Sequence, residues 1–286
     1  MALSSSVYIL NAATPTLEQE RLDFQHHHLF KPLAGKLVPE HILIHLQARS
    51  EPKVADLATG TGLWLQELAS QLPSDATLDG YDYDVSKFRA TETLPANVRL
   101  GFGDVLKPFS SELHGRYDLV HLRLLMYALK ADQWAKVCEN VLTLLKPGGW
   151  LLWGETGYPM WQCFPISPAW NQYLDIEMRG AGMLGRDVAV PLRLLQQVRD
   201  AGFVDCDDKH FSSISVTGLE KRMTQLMRAI SFQSLRGLVE KGGVEGMRTH
   251  DEAERLTRAI MEDMKSREAN CGMTWVWGRK PYIAIC

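Results

Sequence analysis

A chain of 286 residues with 45% hydrophobic content can bury one sizeable core, and its size suits a single α/β domain with accessory helices. The formal net charge of −3 and the lack of a long basic run exclude a general attraction to nucleic acid. No long apolar window appears, and Met1 to Ser6 puts no positive charge ahead of an apolar run, so a soluble, cytoplasmic protein without a membrane partner is expected.

In chain order, Thr16 with Gln19 three residues later fits a capped helix start. That helix would run from about Leu17 through Leu22, Phe24 and Leu29 until Pro32 interrupts it, and a second helix is expected over Glu40 to Arg49. His26, His27 and His28 invite a metal reading, but helical neighbours point about 100° apart, so the three cannot face one ion. No metal site is expected, and at most one of these rings would face a pocket.

Val54 to Leu57 reads as a short buried strand that ends beside Asp56 and passes through Ala58-Thr59-Gly60-Thr61-Gly62 into an apolar helix from Leu63 to Leu72. Gly60 and Gly62 let the turn backbone approach a bound nucleoside closely. A nicotinamide or flavin site would want a third small residue where Leu65 stands, and a P-loop would want Gly-Lys-Ser or Gly-Lys-Thr, which is absent. Leu78 to Asp82 makes a second strand, and Asp82 at its end is a candidate acceptor for two ribose hydroxyls. Val98 to Phe102 leads to Asp104 and Val105, Tyr117 to Leu122 carries His121, and Lys146 to Trp153 turns into a fifth strand that ends near Glu155. Aspartates at such ends also cap helices, so Asp82 and Asp104 taken singly read either way. Asp118 reads as structural.

In this order the segments resemble the class I S-adenosylmethionine-dependent methyltransferases. The resemblance is strong over about residues 50 to 155, with Ala58 standing where that family more often has glycine. It implies an α/β fold: a Rossmann-like seven-stranded sheet with helices on both faces, and N-terminal and inserted helices forming a cap. It further implies S-adenosyl-L-methionine as cofactor, with S-adenosyl-L-homocysteine as product. The implied cofactor residues are Gln25, Asp56, Ala58, Thr59, Gly60, Gly62, Asp82, Tyr83, Asp104, Val105 and His121. Tyr8-Ile9-Leu10 and the run Arg21 to His28 are similar, more narrowly, to the fungal LaeA-like and natural-product methyltransferases. One integrated domain is expected, with residues 1–50 a helical lid, 51–155 the cofactor half, and 156–286 the substrate half, including a helical insertion at about 212–270 and a last edge strand.

In that third part, aromatic residues gather between Tyr158 and Trp170, where a substrate pocket would open, and three prolines keep the stretch from being one helix. Helices are expected over Asp187 to Ala201, Thr217 to Lys241 and Asp251 to Lys265, with a strand over Gly202 to His210 and the last over Met273 to Gly278. The five cysteines have no paired spacing and read as reduced packing residues.

A methyl on a sulfonium is already activated, so the protein must mainly align a nucleophile and exclude water. A base helps with a phenol, enol or amine, and the candidates in order are His26, His121 and Glu155. The expected acceptor is a small, flat, largely apolar aromatic or polyketide-type natural product methylated on oxygen or nitrogen, and hydrophobic N-terminal helices suit a homodimer. Two rivals remain open: a fold relative that steers a cyclisation without transferring methyl, and a LaeA-like regulator.

Overall fold

The computed structural model describes residues 9–10 and 14–282; Tyr8 and Cys286 lie outside the described residues. Helix α1 (Pro15–Gln25) starts two residues earlier than the Thr16–Gln19 pattern suggests. Thr14 is the cap, its Oγ1 accepting from Leu17 N at 3.3 Å, because Pro15 suits the first helical position, where no N–H is needed. Gln19 is released from capping and donates instead to the carbonyls of Lys87 and Phe88. Pro32 does not end the helical run. A π-turn at His26–Phe30, closed by Lys31 N–H on the His26 carbonyl, is followed by α2 (Lys31–Ala34), and Pro32 occupies that first turn, where proline is tolerated. Gly35, at φ 70°, makes the stop. Helix α3 (Glu40–Gln47) then buries Ile42 and Leu46.

Five parallel strands follow: β1 (Lys53–Leu57), β2 (Thr77–Asp82), β3 (Val98–Phe102), β4 (Tyr117–Arg123) and β5 (Leu145–Glu155). Val54, Ala55, Leu57, Leu119, Val120 and Leu122 are fully buried in near-continuous apolar runs, as strands covered on both faces require. Helix α4 (Leu63–Ala69) joins β1 to β2 and α5 (Trp134–Leu144) joins β4 to β5. Contrary to regular alternation, β2 reaches β3 through short 3-10 turns at Val85–Lys87 and Thr91–Thr93.

The remaining elements are β6 (Trp161–Phe164), α6 (Pro168–Leu184), α7 (Leu194–Asp200), β7 (Val204–Ser212), α8 (Glu220–Glu240), α9 (His250–Asp263) and β8 (Glu268–Arg279). The sheet order is β3-β2-β1-β4-β5-β8-β6, with β7 also on β8, so the described sheet has 8 strands rather than seven. The extra strand is β6, which pairs with the start of β8 through Trp161 and Cys271. The last strand is not an edge: β8 lies antiparallel between β5 and β7. The aromatic, proline-bearing stretch is indeed not one helix: a 3-10 turn at Tyr158–Met160 and β6 precede α6, which begins near its end. Pro168 sits in its first turn behind the cap Ser167, a position that starts helices rather than breaking them.

The inserted helices do pack with the N-terminus. Gly237 of α8 lies so close to Ile9 that a Cβ there would meet the Ile9 carbonyl oxygen at 2.2 Å. Met223, Leu226, Met227 and Ile230 form the buried stripe of α8. No described helix is long and apolar enough to cross a membrane.

Candidate active site

A cavity of about 930 Å³ opens beyond the carboxyl ends of β1, β2, β4 and β5, where open α/β sheets bind ligands. The π-turn and α1 wall one side through Leu22, Gln25, His26 and Phe30, and Ile230 of α8 closes the far side. Helix α1 is pinned to the glycine turn. Asp23 accepts from Thr61 Oγ1 at 2.9 Å and pairs with Arg89, and a Cβ on Gly60 would stand 3.2 Å from Leu22.

The turn after β1 is left-handed at Ala58 (φ 56°), Gly60 (φ 60°) and Gly62 (φ 79°). Glycine adopts that region freely and alanine only with strain, the physical content of the Ala58 departure. Asp82 Oδ2 accepts from Gly60 N at 2.8 Å and Oδ1 from Asp84 N at 2.9 Å, so the end of β2 is tied to the turn. Burial pushes the Asp82 carboxyl up, although both N–H bonds and Lys87 pull it down. Asp104 Oδ1 accepts from Leu106 N at 2.9 Å, and Asp104, Val105 and Tyr83 border the same end of the cavity. Bare backbone at Gly60 beside two carboxylates fits a ribose and an adenine.

Every site residue read from sequence borders the cavity except Gly62, which sits just behind the wall. The roles shift, however. Asp56 and His121 satisfy one another inside the wall: His121 Nδ1 lies 2.6 Å from Asp56 Oδ1, and Thr59 Oγ1 donates to Asp56 Oδ2 at 2.6 Å. The His121 ring stacks on Trp64 at 3.8 Å between centroids. Burial lowers its pKa, with Asp56 opposing.

His26, by contrast, is engaged at both nitrogens. Arg123 Nη2 lies 3.2 Å from Nδ1, and Nε2 lies 3.1 Å from Glu67 Oε2. Since guanidinium only donates and carboxylate only accepts, the proton belongs on Nε2. Burial, with Arg123 next, pushes the His26 pKa down to about 3 against the pull of Glu67. As placed, His26 has no nitrogen free to take a substrate proton, which moves the base away from the first sequence candidate. His27 Nδ1 also reaches Glu67, at 3.3 Å, whereas His28 packs against Phe24. His26, His27 and Glu67 offer donor atoms within 4.8 Å of one another, but Lys31 Nζ sits 2.7 Å from Glu67 Oε2 and already supplies the cation.

Glu155 is completely buried at the end of β5, its Oε2 accepting from Leu125 N at 2.7 Å and its Oε1 from Thr156 N at 3.1 Å. Burial outweighs these bonds and raises its pKa to about 7. Thr156, Tyr127, Trp161 and Met126 surround it at the apolar end of the cavity. Arg123 was missed by the sequence reading, although the two-residue period of β4 puts it on the face of His121. Glu67, one helix away, carried no local signal.

A parallel β3-β2-β1-β4-β5 core, an antiparallel strand between β5 and β7, and a glycine turn facing an acid at the end of β2 define a Rossmann-like class I methyltransferase. The chain belongs to the methyltransferase-domain family, which it matches over residues 26–226. Methyltransferase grgD of a Penicillium species is 35% identical over 54% of this chain and 54% of its own. N-methyltransferase tcpN of Claviceps purpurea is 28% identical over 67% of this chain and 68% of its own. The chain thus spans about half the length of the first and two thirds of the second. Among solved structures, the complex of the Haloferax volcanii Trm112 methyltransferase activator with its methyltransferase superposes with a TM-score of 0.53 at 15% identity, covering 95% of this chain and 97% of that one.

Proposed function

We propose that this protein moves a methyl group from S-adenosyl-L-methionine to an oxygen or nitrogen of a small, largely apolar aromatic or polyketide-type acceptor, as in secondary metabolism. The observation that carries this reading is one continuous cavity with two chemically distinct ends. Gly60, Asp82 and Asp104 border the polar end, and Met126, Tyr127, Trp161 and Ile230 border the apolar one. The similarity to an N-methyltransferase of a fungus supports it.

Asp82 would hold the ribose hydroxyls, Asp104 and Val105 the adenine, and the Ala58–Gly60 turn would lie along the nucleoside. When bound, the cofactor supplies a methyl group on a sulfonium, which needs no further activation. The chain's own residues then orient the acceptor and exclude water: α1 and the π-turn cover the cavity, and the aromatic end favours a flat ring. Glu155, with a pKa near neutrality and a place on the cavity wall, is the group suited to receive the acceptor's proton. Incubation with the cofactor and a panel of phenols, enols and aromatic amines should yield S-adenosylhomocysteine only with acceptors of this class. Turnover of the cofactor without any methylated product, or product from none of the panel while both ligands bind, would sink the reading.

A further inference from the structure

His26 and His27 are neighbours in sequence, yet both reach Glu67. A π-turn winds less per residue than an α-helix, so successive side chains diverge less, and the turn at His26–Phe30 lets two adjacent imidazoles meet one carboxylate. Two nitrogens and a carboxylate oxygen, none more than 4.8 Å from another, are a donor set for zinc and not for magnesium or calcium, which take oxygen ligands. A tetrahedral zinc holds neighbouring donors about 3.3 Å apart. The two imidazole–carboxylate separations are 3.1 and 3.3 Å, and the contraction still needed falls to His27, whose side chain is 43% exposed and able to rotate. The place already holds a cation. Lys31 Nζ lies 2.7 Å from Glu67 Oε2 on a side chain that is 45% exposed, and that ammonium can swing into water without being left unpaired.

We propose that His26, His27 and Glu67 form a zinc site in which the ion displaces the Lys31 ammonium and clamps the π-turn to α4, with water completing the coordination. The site does not depend on the methyl-transfer reading, because His27 and Glu67 stand outside the cavity lining and only His26 belongs to both. Metal binding carries a defined cost. His26 Nε2 gives up its proton and the neutral ring takes one on Nδ1, where Arg123 Nη2 donates at 3.2 Å in the metal-free arrangement. The ion therefore breaks the Arg123 contact as well as the Lys31 pair. Those two losses place the affinity on the order of micromolar, well below that of a structural zinc site. The site thus answers to raised zinc, and what it changes is the fastening of the lid, since His26 and His27 belong to the π-turn and Glu67 to α4.

The test is calorimetric titration of the untagged full chain with zinc chloride and with magnesium chloride, alongside His27→Ala, His28→Ala and Lys31→Met. The parent protein should bind one zinc ion, and zinc should raise its melting temperature, while magnesium does neither. His27→Ala should weaken zinc by about tenfold or more. His28→Ala should bind as the parent does, because that ring packs against Phe24 instead. Lys31→Met removes the competing ammonium and should tighten zinc severalfold, a gain that a damaged fold cannot mimic. No zinc bound by the parent, equal binding of magnesium, undiminished binding by His27→Ala, or weaker binding by Lys31→Met would each overturn the assignment.

Discussion

His121 and Asp56 share a 2.6 Å contact between Nδ1 and Oδ1 on the cavity wall, and they join β4 to β1 at paired positions of the sheet. The pair is almost fully withdrawn from water, with Trp64 stacked on the imidazole. Replacing His121 by Phe keeps the stacking area but leaves one oxygen of a buried carboxylate without its partner. We expect a loss of about 1–3 kcal/mol of stability in urea unfolding. If His121 were the catalytic base, kcat would collapse at unchanged stability, the opposite result.

Asp82 should carry most of the affinity for the ribose. Asp82→Ala removes a carboxylate held by Gly60 N and Asp84 N, and S-adenosylhomocysteine binding should weaken by about 1–3 kcal/mol, or roughly five- to 140-fold, in calorimetry. Unaltered affinity would remove Asp82 from the site.

Glu155 predicts two pH profiles. Its carboxyl is raised from 4.5 to about 7 on folding, so the native state holds the proton more tightly than the unfolded chain. Below pH 4.5 both states are protonated and the group is neutral in the balance. As pH rises from about 4.5 to about 7 the unfolded chain ionises first, and stability falls by up to about 3 kcal/mol. Glu155→Gln should flatten that slope, so that its melting temperature compares better with the parent protein at pH 8 than at pH 5. In turnover, kcat should rise with pH through about 7 as the base ionises, and the glutamine variant should lose both the rise and most of the rate. A kcat profile identical in the two proteins would leave Glu155 as a fastener of the Leu125 turn and nothing more.

Ala58 occupies a left-handed position at φ 56°. Ala58→Gly should relieve that strain and outweigh the added freedom of the unfolded chain, raising stability by up to about 1 kcal/mol in thermal unfolding while preserving cofactor binding. A clear loss of stability would mean that the Cβ packs usefully against the core.

Much of the cofactor end was legible in the residues. Strand β1, the Gly60–Gly62 turn, α4 and Asp82 at the end of β2 were readable because each rests on short-range rules: a buried apolar run, a turn that needs bare backbone, a helix whose apolar positions recur every turn. Pro32 was misleading for the same reason. A proline reads as a breaker until the register around it is known, and here the preceding π-turn puts it in a first helical turn.

What the chain specifies locally is therefore a scaffold with an acid and a glycine turn facing one another, and that alone pointed to a nucleoside cofactor. Tertiary structure decided which polar groups remain available for chemistry. His26 meets Glu67 and Arg123, and His121 meets Asp56 through Nδ1, across 41, 97 and 65 residues of chain, so no spacing rule could show these partners. Burial decided the rest: a carboxyl with an ordinary pKa in water is raised to about 7 at Glu155 inside the sheet, and only packing sets that shift.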